Sequence, residues 1–162
     1  MKNRKTNIIA VLAAALIFTA ACLTLYSCKS GGAAQSGDFT VTMSVRCDSL
    51  VNDIDALNRE KHDLVPPDGI LFYDDAVSAY EGDSLFDILQ RELSSARIHM
   101  EASAGYVMGI GNIYESDAGD LSGWLFKVNG SFSDVGSAQH IVQPNDTIEW
   151  FFTTDFLAEW EM

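Results

Sequence analysis

The apolar residues of this chain recur with two different periods, and the changes from one to the other mark its elements. Val41, Met43, Val45 and Cys47 alternate with Thr40, Thr42, Ser44 and Arg46. That period of two predicts a half-buried strand over 39–47. Leu50, Ile54 and Leu57 then fall at helical spacing and predict a short surface helix within 48–64, ended by the turn signal Pro66-Pro67-Asp68-Gly69. A short strand is expected inside 70–80, best placed at 77–80. The main helix starts at Ser84, where Asp87 three residues on completes a capping box. Leu85, Phe86, Leu89, Leu93 and Ala96 give it an apolar stripe.

Alternation returns at Ile98, Met100 and Ala102. Residues 105–112 read as a loop or a kinked strand, and 113–117 as another short strand. Over 123–129, Trp124, Phe126 and Val128 point one way, and Leu125 and Lys127 the other. Asn129-Gly130 follows as a hairpin turn, since both residues tolerate positive φ. Pro144-Asn145-Asp146 is a second turn. The last strand, 147–153, puts Ile148, Trp150 and Phe152 on one face and Glu149 and Phe151 on the other. Strand, helix, then several strands is an α+β order. It suits a β-grasp-like fold, in which one mixed sheet turns a single apolar face to one main helix.

The N-terminus changes the picture from a plain domain to an exported one. Lys2, Arg4 and Lys5 precede an apolar run from Ile8 to Leu25, and Leu25-Tyr26-Ser27-Cys28 follows. This is the order of a lipoprotein signal peptide. Residues 1–27 are therefore expected to be removed and Cys28 to carry the lipid, with the Thr19-Ala20-Ala21-Cys22 box as the competing site. Residues 28–38 are rich in Gly, Ser and Ala and read as a flexible tether. Residues 39–162 form the domain. The expected location is secreted, lipid-anchored to the bacterial cell membrane and facing outward.

Charge narrows the choice of partners. All 23 acidic residues but only seven of the ten basic ones follow residue 27. A surface so negative is unsuited to nucleic acid, whose binding requires Lys and Arg to displace counterions. It is equally unsuited to gripping anionic lipid directly.

Candidate chemistry is sparse. Cys47 on an apolar face reads as inert core. His62, His99 and His140 share no metal-ligand spacing, and Glu115, Asp117 and Asp120 do not follow a calcium-loop pattern. No nucleophile elbow, phosphate loop or dinucleotide fingerprint occurs. The expectation is a non-enzymatic protein with no cofactor and no metal. Trp124, Phe126, Trp150 and Phe152 could stack on a flat ring, but their alternation reads better as core. The opposite face, with Thr42, Ser44, Arg46, Lys127, Glu149 and Phe151, is the candidate binding surface.

Several runs resemble the transcobalamin-like C-terminal domain family. They are TVTMSVRCD (40–48), YEGDSLFDIL (80–89), NIYE (112–115), GDLSGWLFKVNG (119–130) and PNDTIEW (144–150). The resemblance covers 39–155, and its most specific part is Ser122-Gly123-Trp124 with Val128-Asn129-Gly130. It implies a β-grasp-like domain of bacterial surface proteins, mostly of unassigned function. In the animal cobalamin carriers that name the family, the domain closes over the corrinoid together with a larger α-helical barrel. The implied function is a surface-tethered module binding cobalamin, another corrinoid or a related small molecule. Arg46, Tyr114, Lys127, Asn129 and Phe151 are the candidate ligand contacts. The alternative is a protein-interaction or adhesion module of the cell envelope, pairing with another surface protein.

Overall fold

The computed structural model describes residues 38–160. The predicted signal peptide with Cys22, and the tether from Cys28 up to Asp38, lie outside the described residues. No helix among those described is long and apolar enough to cross a membrane.

The first strand, β1 (Phe39–Arg46), follows its alternation: Val41, Met43 and Val45 are buried, as is Cys47 just beyond. It is an inner strand of a five-stranded sheet of order β2-β1-β8-β6-β7, with β2 at Ile70–Ala79, β6 at Gly123–Val128, β7 at Ser131–Phe132 and β8, the central strand, at Thr147–Thr153. The first and last strands pair in parallel, Val45 beside Trp150. The other neighbours are antiparallel. Helix α2 (Leu85–Ser95) contributes Leu85, Ile88, Leu89 and Leu93 to the same buried cluster as the inward residues of β1, β6 and β8. This is the α+β, β-grasp-like arrangement expected from the sequence.

The predicted capping box is present. Ser84 accepts from the Asp87 backbone N–H, and the Asp87 carboxylate accepts from that of Ser84. Two further orphan N–H groups of the first turn, those of Leu85 and Phe86, donate to the carbonyls of His140 and Ser137. The segment between β7 and β8 is thereby fastened to the start of α2.

Three expectations need correction. The single sheet is two: β3 (Met100–Ser103), β4 (Tyr106–Ile110) and β5 (Ile113–Tyr114) form a separate three-stranded sheet. The helix expected over 48–64 is three pieces, α1 (Asp48–Asn52) and two short 3-10 turns at Ile54–Ala56 and Arg59–Leu64. Asp53 and Asn58 sit at the breaks, and the Asn58 side chain caps the second turn by accepting from the Glu60 N–H. The short strand expected at 77–80 is instead ten residues long. Two register shifts against β1 interrupt its alternation, and exposed Asp74, Asp75 and Ala76 stand at the first of them on the sheet's edge.

Within helix α2, Ile88 is buried and Ala96, expected on the apolar stripe, is exposed. The helix ends in a reversal at Arg97, whose φ is 59°, closed by an N–H of Ile98 donating to Leu93 O.

Candidate functional site

Strand β7 covers only Lys127 and Val128 of β6. The edge of β6 from Gly123 to Phe126 therefore has no strand beside it, and a cleft of about 320 Å³ opens there. Its floor is aromatic, made of Trp124 and Phe126 from β6 and Trp150 from β8. One wall is the β3–β4 turn with the start of β4, Ala104 to Val107. The other is Phe132, Ser133 and Val135 to Ser137, with Gln139. Among the described residues, none that lines the cleft carries a carboxylate, ammonium or guanidinium group.

The walls are held by specific contacts. Ser137 Oγ donates to Gly105 O at 2.6 Å. Gly105 has φ +83°, and a Cβ placed there would stand 2.5 Å from Ala138 Cβ. Only glycine allows the two walls to approach this closely. Ser133 Oγ and His140 Nδ1 lie 2.9 Å apart and brace the second wall from within. At the mouth, the Tyr106 hydroxyl hydrogen-bonds the Glu115 carboxylate, which raises the pKa of the phenol above its ordinary value.

The two tryptophans of the floor differ. The indole N–H of Trp124 donates to Ile113 O at 2.9 Å, and its ring meets Phe152 edge-on at 5.4 Å. Trp150 packs on Phe126, with centroids 5.0 Å apart, and is 2 % exposed. Its Nε1 is the one buried side-chain polar atom among the described residues without a hydrogen-bond partner. A buried donor left unpaired costs about 1–3 kcal/mol, which makes it uncommon in a settled core.

The residues singled out on the outer sheet face are brought together in part. Arg46, Lys127 and Phe151 line one groove with Asp48, Glu149 and Glu159. Their head groups are already engaged. The Arg46 fork grips Asp48 with two hydrogen bonds of 2.6 Å, which holds the Asp48 carboxyl below the usual carboxylate range. The Lys127 ammonium sits between the rings of Phe132 and Phe151, at 4.6 and 5.0 Å, and 3.9 Å from Glu159 of the C-terminal helix α3 (Phe156–Trp160).

Asn129 lies at the hairpin, with φ 53°, and its amide bridges Asp146 and the Thr147 N–H. Tyr114 lies on the other sheet under the Lys61 ammonium, 4.8 Å from the ring centre, and lines neither cavity. Cys47 is fully buried, and burial pushes its thiol up to about 11. Among the described residues no group of three or more His, Cys, Asp or Glu stands close enough to hold a metal ion.

The cleft was not singled out from the sequence. Its signal was there in part: aromatic residues on two strands, with a Gly- and Ser-rich stretch between them in the chain. Alternation separates the two faces of a strand, but it does not reveal where a neighbouring strand stops.

Residues 82–154, from the start of α2 to the end of the sheet, match the model of a domain of unknown function, DUF4430. No curated protein matches the chain. Among solved structures, haptocorrin in complex with Cbi is similar at 12 % identity and a TM-score of 0.51, over 73 % of this chain. The match spans 25 % of haptocorrin, so this chain compares with about a quarter of that protein. A protein of Ruminococcus gnavus ATCC 29149, to which metal binding has been attributed, aligns at 13 % identity and a TM-score of 0.44, over 72 % of this chain and 97 % of its own. The likeness to haptocorrin is one of fold.

Proposed function

We propose that this chain is a non-enzymatic binding module of the cell surface, tethered through Cys28, and that the cleft at the β6 edge is where it takes its ligand. The observation that carries the reading is the cleft's chemistry: an aromatic floor and uncharged walls in a strongly acidic domain. Concave, mostly apolar sites with a few polar groups are the usual form of small-molecule sites, at about 300–1,000 Å³. This one is at the small end of that range. It suits one ring or one edge of a larger ligand, with the remainder standing outside.

A corrinoid is the first candidate. The family resemblance of the sequence and the fold shared with haptocorrin, solved with Cbi, both support a transcobalamin-like domain here. On this reading a second surface covers the part of the ligand that the cleft leaves exposed.

Titration of the purified domain with Cbi and with cobalamin, followed by tryptophan fluorescence, tests the proposal. A saturable change is expected. Val135→Asp places a charge on the exposed part of the wall and should weaken binding at least about tenfold, whereas Arg46→Ala and Lys127→Ala should leave it unchanged. Loss of binding in Lys127→Ala with none in Val135→Asp would move the site to the outer groove. The tether is tested separately: Cys28→Ala should shift the protein from the membrane to the soluble fraction, and an unchanged membrane fraction would refute lipidation at that residue.

A further inference from the structure

We infer that the uncovered edge of β6 takes an added strand: an extended peptide segment, uncharged at its centre and basic at its flanks, that lies in the cleft and pairs with the backbone of Trp124 and Phe126. The inference rests on the cleft being open to a ligand, and adds a protein segment as a second class of occupant.

Backbone register carries it. Val128 pairs with Ser131 across the two-residue Asn129-Gly130 turn, so its N–H and C=O face β7. The Asn129 N–H instead donates to Thr147 O, toward β8. Successive residues of a strand turn these groups to alternate neighbours, and β6 pairs with β8 from Gly123 to Val128 without a register shift. The N–H and C=O groups of Trp124 and Phe126 therefore face the same side as those of Val128, away from β8. Strand β7 does not reach them. Just before β6 begins, Ser122 O accepts from the Ser116 N–H. Between that bond and β7, no described residue hydrogen-bonds the Trp124 or Phe126 backbone on the open side. Two N–H and C=O pairs, about 7 Å apart, thus stand along the edge where the cleft opens. An extended chain offers amides at that spacing, and strand addition of this kind is a recurring way to capture a peptide.

The other end of the sheet is built to refuse such a partner. The outer strand β2 carries exposed Asp74 and Asp75 at a register shift, where Asp74 Oδ1 accepts from the Ala76 N–H at 2.9 Å. Charges and bulges are the usual means of keeping further strands off an edge. The stretch from Gly123 to Phe126 has no charge, no proline and no register shift. On its opposite walls stand Tyr106 and Val135, 58 and 48 % exposed, able to pack on the side chains of an incoming chain.

Charge complementarity fixes the occupant's composition. A charged side chain inside the cleft would lose water and meet no countercharge, so the central residues are uncharged. Carboxylates stand just outside: Glu115, bonded to Tyr106, on one side and exposed Asp134, next to Val135, on the other. The domain around them is strongly acidic. Basic flanks are drawn to this mouth.

The test uses the purified domain and the capped peptide acetyl-KKTVTVKK-amide. Two-dimensional amide spectra follow binding and report that the domain stays folded. Bound peptide should move the Trp124 and Phe126 amide protons downfield and slow their exchange with solvent, leaving the exchange of Leu125, already paired with β8, unchanged. Two N-methylated peptides, one blocked at both valines and one at both threonines, divide the alternate amides of the chain. One of them should lose at least about tenfold in affinity and the other less than about threefold. Equal losses, or none, overturn strand pairing. A glutamate-flanked peptide should bind at least about tenfold more weakly, and equal affinity overturns the basic preference. Shifts confined to β2 around Asp74 overturn the choice of edge. If the peptide perturbs neither Trp124 nor Phe126 while Cbi or cobalamin binds, this inference falls and the proposed function stands. If none of the three binds, the cleft reading falls with it.

Discussion

The cleft at the β6 edge and the groove on the outer sheet face are similar in volume, about 320 and 380 Å³, and opposite in chemistry. The groove holds the charges, and its two cations are engaged within the fold: Arg46 by Asp48, Lys127 by two aromatic faces and Glu159. The cleft holds no charge, and aromatic rings make its floor. A conspicuous cation on a surface is weak evidence of binding when its partners are internal. An uncharged hollow floored with aromatic rings is stronger evidence, because the further contacts those rings can make lie outside the chain.

The contrast can be broken by substitution. The largest effects should come from the floor of the cleft. Trp124→Ala and Trp150→Ala are each expected to lose about 3–5 kcal/mol of stability in chemical denaturation, because both rings belong to the buried cluster. A loss under about 1 kcal/mol would mean that the floor is not core. Next is the wall. Gly105→Ala combines an unfavourable φ with a close approach to Ala138 and should cost about 1–3 kcal/mol, with ligand binding weakened in step.

A finer test separates the two indoles. Trp124→Phe breaks a hydrogen bond and strands Ile113 O, whereas Trp150→Phe removes a donor that has no partner. The first should be the more destabilising by about 1 kcal/mol. Equal losses would show that Trp150 Nε1 is as well satisfied as Trp124 Nε1.

Acid separates the regions in another way. The Arg46 hydrogen bonds hold Asp48 below its unfolded pKa of about 3.9. This pair therefore stabilises the fold fully above that value, and its contribution is lost as pH falls through the lower folded one. Asp48→Asn should flatten that part of the acid limb in stability measured from pH 5 to 2. The smallest effect is expected of Lys127→Ala, at most about 1 kcal/mol, as for other surface ion pairs.

Much of the fold was legible in the pattern of residues. β1, the capped helix α2, the Asn129-Gly130 hairpin and β8 stand where alternation, capping and turn chemistry put them, because each of those signals is local. What was not legible depends on neighbours distant in sequence. The ten-residue β2 is built by pairing with β1 across two register shifts, so its own alternation is broken at Asp74 and Asp75. The division into two sheets depends on β3, β4 and β5 pairing with one another and with no strand of the larger sheet. Burial of the aromatic residues was correctly read from Trp124, Trp150 and Phe152, but no periodicity tells whether the far side of a core ring meets another side chain or a hollow. The outer-face residues were chosen for their exposure and charge. One of their internal partners, Glu159, comes from a helix beyond the last strand.

The parallel pairing of the first and last strands has a consequence for how this molecule comes into being. β1 and β8 are the inner strands of the sheet, and nearly the whole domain lies between them in the chain. A ribosome-bound fragment that stops before Thr147 lacks the strand that joins the β2–β1 pair to the β6–β7 pair, so it holds two half-sheets with no centre. Contacts of such long sequence separation form late and slowly. The topology thus keeps the sheet open until its last strand is made, the condition that the proposed export across a membrane would require.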